Sequence, residues 1–99
     1  TMTYTLRSTK QFQKWLNKIR DQVTKRKVLA RLERIKNGNF GDYKQVSPSL
    51  FELRFFFGGG LRIYYTVRNS QIVFLLVGGD KSSQSSDIEK ARRILDEME

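Results

Sequence analysis

The sequence contains no cysteine, no histidine and a single proline. Without cysteine there is neither a disulfide framework nor a thiolate metal site, and nothing argues for secretion. The missing histidine removes Ser–His and Cys–His nucleophilic sites, imidazole metal ligands and the usual neutral-pH base. Acidic residues do not gather as D-x-D or E-x-x-E at a strand end, so no metal and no small-molecule cofactor are expected. The opening TMTYTLRSTK lacks the apolar run of a signal peptide. The longest apolar run, Ile72 to Val77, is far too short to span a bilayer. The expectation is a cytoplasmic protein with no membrane partner.

What is present in excess is positive charge. Nineteen Lys and Arg against ten Asp and Glu leave +9 over 99 residues, with a sequence pI near 10.2. A domain this basic is drawn to polyanions through counterion release, although a solubilising surface would look the same. The excess is local. Arg7 to Lys36 holds eleven basic and two acidic residues, and the remainder has eight of each. The length suits one domain, residues 1–99.

Met2, Tyr4 and Leu6 alternate as in a short strand. Ser8-Thr9-Lys10-Gln11 has capping-box spacing, and Phe12, Trp15, Leu16 and Ile19 then trace one helical face. Trp15 could stack on a base, but its apolar companions assign it to the core. A second helix begins near Asp21 with the stripe Val28, Leu29, Leu32 and Ile35, stopped by Asn37-Gly38. Lys25, Arg26, Lys27, Arg31, Arg34 and Lys36 coat its other faces, as a docking surface for phosphates or for an acidic protein. The two helices are joined tightly enough for an antiparallel hairpin.

Residues 39–49 read as a connection that Phe40 and Tyr43 pin down, with Lys44 free for function or simply solvated. Phe51, Leu53, Phe55 and Phe57 alternate with Glu52, Arg54 and Phe56, and Leu61, Ile63, Tyr65 and Val67 alternate with Arg62, Tyr64 and Thr66. Gly58-Gly59-Gly60 reverses the chain between them. Folding there predicts Phe56 opposite Arg62, Arg54 opposite Tyr64 and Glu52 opposite Thr66. Arg68-Asn69-Ser70 turns again, Ile72 to Val77 reads as a strand covered on both faces, and Ser86-x-x-Glu89 caps a last helix. The predicted fold is α+β, β-α-α-β-β-β-α, with a helical hairpin on one face of an antiparallel sheet.

The triple glycine joins two strands and precedes no helix, so it is not a phosphate-binding loop. The remaining chemistry is a cationic face of Arg54, Arg62 and Tyr64, with Lys81 at its edge. Guanidiniums bind phosphate and stabilise added negative charge. RNA cleavage needs no metal when the substrate's own 2′-OH attacks, and Tyr64 could stack on a base. The same residues would also serve as plain cross-strand pairs on a solvated face.

FELRFFFGGGLRIYY, LLVGGDKSSQSSDIEKA and the upstream GDYKQV resemble the addiction-module killer proteins, a HigB-like branch of the RelE/ParE superfamily of type II toxins. The likeness covers nearly the whole chain. It implies a RelE/ParE-like fold, a ribosome-dependent mRNA endonuclease that inhibits translation, and three partners: a cognate antitoxin, the ribosome and mRNA. In R-x-Y-Y, Arg62 takes the position of the arginine at the scissile phosphate, and Arg54 stands where basic residues face the same groove. Lys81 and Gln84 occupy the region where relatives carry a terminal catalytic His or Tyr. Gly59 replaces a proline common in this branch. Arg62, Arg54 and Lys81 are thus the expected catalytic residues, and Tyr64, Lys44, Gln84, Lys25, Arg26, Lys27 and Arg31 the expected RNA contacts. A ParE-like gyrase inhibitor without nuclease activity and a non-enzymatic nucleic-acid-binding module remain the alternatives.

Overall fold

The computed structural model describes residues 3–98. Its elements are β1 (Thr5–Ser8), α1 (Lys10–Asn17), α2 (Gln22–Lys36), β2 (Tyr43–Ser47), β3 (Leu50–Arg54), β4 (Arg62–Arg68), β5 (Ile72–Gly79), a 3-10 turn (Lys81–Ser83) and α3 (Gln84–Met98). The expected α+β class holds, with both N-terminal helices on one sheet face. The strands run in the order β1-β5-β4-β3-β2, antiparallel except where β1 lies parallel to β5. Met2 of the expected first strand lies outside the described residues.

The starts of α1 and α2 are each set by a side-chain oxygen that satisfies a free backbone N–H. For α1 it is Thr9 rather than Ser8: its Oγ1 accepts from Phe12 N at 3.0 Å and donates to Leu76 O at 2.6 Å. One hydroxyl therefore starts the helix and ties it to β5. Asp21 caps α2, where its carboxylate accepts from Thr24 N at 3.4 Å and Thr24 Oγ1 at 2.6 Å. The helix ends at Asn37, and Gly38 takes φ +87 as the left-handed stop.

The alternation in β3 and β4 sorts side chains onto two faces. Leu53, Ile63, Tyr65, Val73 and Leu75 pack with Phe12, Leu16, Val28, Leu32 and Ile35 of α1 and α2. Leu50, Tyr64, Leu76 and Val77 pack instead with Ala91 and Leu95 of α3. The third helix thus covers the face that the sequence presents as solvated. This is the main departure from expectation, and it governs the site.

Two smaller departures have local causes. The connection 39–49 contains a strand, β2, because Tyr43, Lys44 and Gln45 find partners in Leu53, Glu52 and Phe51. The glycine reversal is also wider than predicted. Phe57 O accepts from Gly60 N and Leu61 N, and Leu61 O accepts from Phe55 N, so β4 pairs two residues away from the expected register. Arg54 faces Arg62, and Glu52 faces Tyr64. An even slip leaves every side chain on its face.

Candidate functional site

Arg54 and Arg62 stand directly opposite on neighbouring strands. Like charges in that position repel, and a counter-charge is needed. Glu52 provides it. Its Oε1 lies 3.9 Å from Arg54 Nε and 3.9 Å from Arg62 Nε, while Oε2 accepts from Gln84 Nε2 at 2.6 Å. Glu52 is 2% exposed and Arg62 6%, whereas the Arg54 side chain keeps 41% of its surface in water. At 3.9 Å the two arginine contacts are ion pairs rather than hydrogen bonds. Their mutual compensation lets three charges sit at or near the interior.

Arg62 also serves the hairpin loop. Its Nη1 donates to Gly60 O at 3.0 Å, Leu61 O at 3.1 Å and Phe55 O at 3.4 Å. Lys81 arrives at the same loop from the end of β5. A side chain built on Gly60 would meet Lys81 Cβ at 3.3 Å and Arg62 Nη1 at 3.5 Å, so all three are close neighbours. Arg54, Arg62 and Lys81 are therefore brought together at the hairpin end of the sheet.

The remaining expected contacts fare differently. Tyr64 is fully buried under α3 and offers no surface for a base. Its phenol is pushed well up, first by burial and then by the Glu52 carboxylate, so it stays neutral at ordinary pH. The Gln84 amide is occupied by Glu52. Lys44 is exposed on β2, in the cross-strand row that runs through Glu52 to Tyr64. Lys25, Arg26 and Lys27 belong to α2, on the opposite side of the sheet from Glu52.

Arg31 belongs to neither surface. It is 8% exposed and donates from Nε and Nη2 to Phe40 O, from Nη2 to Asp42 O at 2.6 Å and from Nη1 to Arg54 O at 2.7 Å. Its guanidinium also lies 4.6 Å from the Phe55 ring centre. Helical periodicity put Leu29 in the apolar stripe and Arg31 outside. In the structure Leu29 is 45% exposed, and α2 turns Arg31 inward, where its guanidinium donates to the carbonyls of Phe40, Asp42 and Arg54.

The residue that sequence reasoning missed is Glu52. The signal available was its position between two arginine-bearing positions, one on its own strand and one on the next. The G-G-D-K-x-x-Q-x-x-D run also acquires a physical meaning. A side chain on Gly78 would fall inside the Trp15 indole, and one on Gly79 would strike the Asp87 carboxylate. Asp80 caps the 3-10 turn through Ser82 N at 2.9 Å, with Ser83 Oγ reciprocating toward Asp80 N at 3.3 Å. The cap expected at Ser86 is therefore replaced by one six residues earlier in the chain. Asp87, 5% exposed, accepts from Ser83 Oγ at 2.5 Å. Most of the motif fastens α3 to the sheet, and only Lys81 of it faces outward beside Arg62.

A cleft of about 570 Å³ lies elsewhere, between α1 and α3, with Lys14, Lys18, Lys90 and Arg93 around Trp15. Its cations stand on helix surfaces in water, and its floor is the Trp15–Gly78 contact that seats α1. The hairpin end of the sheet instead holds cations fixed by a buried carboxylate and by backbone carbonyls. Preorganised charge of that kind is what anion chemistry requires, so the candidate site is placed there.

The fold and this cluster define a small α+β protein built like RelE. A double arginine-to-alanine mutant of the E. coli toxin RelE in its free state superposes with a TM-score of 0.73 over 93% of this chain and 97% of that one, at 17% identity. The intact E. coli RelBE toxin-antitoxin complex matches with a TM-score of 0.62, over 78% and 95%, at 16% identity. At these identities the likeness is one of fold. The family described as "Phage derived protein Gp49-like (DUF891)" matches residues 14–99, and the chain belongs to it. An uncharacterized protein of Haemophilus influenzae is 42% identical over 97 residues, 98% of each chain.

Proposed function

We propose that the chain is the toxin of a type II toxin-antitoxin system, in the HigB-like branch of the RelE/ParE superfamily, acting as one domain that cleaves mRNA on the ribosome. Membership of the Gp49-like family and the RelE-like fold support the toxin reading, and the RelBE complex supports an antitoxin as partner. The observation that carries the chemistry is the meeting of Arg62 and Lys81 at Gly60, with Arg54 directly opposite Arg62 on the next strand.

The cleavage is a transesterification. The substrate 2′-OH attacks the adjacent phosphorus and gives its proton to water, the P–O5′ bond breaks, and the products are a 2′,3′-cyclic phosphate and a 5′-OH that takes up a proton. Arg54 and Lys81, the accessible cations, hold the non-bridging oxygens as charge builds on them, and the Lys81 ammonium can supply the proton to the leaving oxygen. Arg62 adds its charge from beneath and holds the loop that positions the others. The cations of α2 supply electrostatic attraction to ribosomal RNA.

One observation favours a second reading. Arg62 already has three carbonyl acceptors and Glu52, which suits a non-enzymatic toxin of the same fold directed at DNA gyrase, with Arg62 as scaffold. Expression without an antitoxin, followed by mapping of mRNA 5′ ends, separates the two. Codon-phased cuts that disappear in Arg54→Ala and Lys81→Ala chains of unchanged circular dichroism support the nuclease. Intact mRNA with an induced DNA-damage response supports gyrase inhibition, and growth without any effect rejects both.

A further inference from the structure

Three consecutive phenylalanines, Phe55, Phe56 and Phe57, open the hairpin loop, and the fold treats them unequally. Phe55 is buried at 3% exposure, with the Arg31 guanidinium on its ring. Phe57 is half-buried, meets Phe55 edge to face at 5.5 Å and carries the Lys27 ammonium 5.0 Å from its centre. Phe56 is 88% exposed, more than any other large apolar residue described, and it has no ring or cation partner among the described residues.

The loop that carries this ring is held on both sides. Arg31 Nη1 takes Arg54 O, Arg62 Nη1 takes Phe55 O, Gly60 O and Leu61 O, and Phe55 N donates to Leu61 O. Burying Phe56 would repay about 2 kcal/mol in the apolar transfer term, yet a well-anchored loop leaves it in water. A rigid, solvent-facing aromatic loses little conformational entropy when a flat partner stacks on it.

Its surroundings select the partner. Phe56 lines a cleft of about 350 Å³ between α2 and the loop, together with the cations Lys27, Arg31 and Arg34. No carboxylate lines that cleft, and the loop continues into the Arg62–Lys81 cluster. An aromatic face beside Lys27 and Arg34, in a cleft without a lining carboxylate, matches the bases and phosphates of a single strand, which pair stacking with backbone charge.

We propose that Phe56 is the base-stacking platform of a single-stranded RNA subsite, with Lys27 and Arg34 on the neighbouring phosphates. It takes the role that sequence reasoning gave to Tyr64. The inference deepens the mRNA-cleaving reading and rests on it for the identity of the strand.

The test is fluorescence anisotropy of the purified full chain with an unstructured, dye-labelled RNA oligonucleotide, in wild type and in Phe56→Ala, Phe56→Leu and Phe56→Trp. Phe56 is 88% exposed, so all three should fold as wild type, which circular dichroism checks. The expected result is about a tenfold loss of affinity in Phe56→Ala and Phe56→Leu, with Phe56→Trp close to wild type. The salt dependence should be unchanged in Phe56→Ala and shallower by about one unit of slope in Arg34→Ala. Wild-type affinity in Phe56→Ala overturns the proposal, as does a wild type that does not bind the strand. Equal binding by Phe56→Leu and Phe56→Trp also overturns it and marks an apolar contact for a protein partner instead. Stacking-dependent binding without cuts in the 5′-end map upholds this subsite and rejects the nuclease, whereas cuts with Phe56-independent binding do the reverse.

Discussion

Arg31 and Arg62 grip consecutive carbonyls of one strand end from opposite faces of the sheet. Arg31 Nη1 donates to Arg54 O at 2.7 Å, and Arg62 Nη1 reaches Phe55 O at 3.4 Å. One arginine comes from the α1–α2 side and the other from the α3 side. The end of β3 and the start of the loop, which hold the exposed Arg54 and Phe56, are therefore fixed by two buried guanidiniums.

Removing the first grip should be costly. Arg31→Ala takes the side-chain donor from the part-buried carbonyls of Phe40 and Arg54 and leaves Asp42 O with only the Arg54 backbone N–H, which should lower stability by about 2 kcal/mol. Arg31→Lys should recover little, because an ammonium cannot reproduce the planar fork. The urea midpoint measures both, and a midpoint unchanged in Arg31→Ala would contradict the clamp.

Glu52 should be coupled to the arginine pair. Glu52→Gln keeps the shape and loses the charge between Arg54 and Arg62, at a cost of roughly 1–3 kcal/mol. Adding Arg54→Ala removes the repulsion that Glu52→Gln exposes, so the double variant should cost less than the sum of the singles. A thermodynamic cycle on denaturant unfolding reads this, and simple additivity would argue against mutual compensation.

The seat for α1 predicts a steric effect. Gly78→Ala places a methyl group inside the Trp15 indole and should destabilise by roughly 1–3 kcal/mol. With Trp15→Leu in the same chain, the added methyl group finds room and its incremental cost should fall. Thermal midpoints of the four chains decide it.

The Asp80 cap should be lost in acid. The Ser82 hydroxyl, then the Ser82 backbone N–H, hold the Asp80 carboxyl below its ordinary value of about 3.9. A depressed folded pKa means that the contribution is complete above the unfolded value and disappears as pH falls through the folded one. Asp80→Ala should therefore melt earlier than wild type at pH 7, and the gap should close below roughly pH 4. A gap independent of pH would leave the capping carboxylate without effect.

Alkaline titration should reveal the buried phenols. Burial raises both Tyr64 and Tyr65, with Glu52 adding to the first and Tyr43 to the second. The neutral phenols are the folded form, so their contribution is intact below the unfolded value of about 10 and is lost above it. Tyrosinate absorbance should stop short of the amplitude for four tyrosines until the chain unfolds, and full amplitude from the native state would contradict their burial.

Much of this molecule is legible in the residue pattern. The helix stripes, the left-handed stop at Gly38, the glycine reversal and the division of β3 and β4 into two faces all follow from local periodicity and φ preference. The turn at Asn69 and Ser70, with φ of 54 and 57, was legible for the same reason. Strand β2 was not, since its residues alternate weakly and gain their order from pairing with β3. Arg31 was not, because a long cationic side chain goes inside only where buried carbonyls await it.

By itself, then, the sequence determined which side chains share a face, since a period of two is a property of each strand alone. It also determined the strong positive charge and that Arg54 and Arg62 share a face with Lys81 at its edge, whereas the register that sets Arg54 opposite Arg62 came from the fold. Only the tertiary structure decided what covers that face. Polar residues in alternation read as solvated, yet α3 closes over Tyr64 and Glu52 because the charges beneath it compensate one another. Compensation depends on distances between residues far apart in the chain, and no single position carries it. The same packing withdrew Tyr64 from the surface and left Phe56 as the exposed ring.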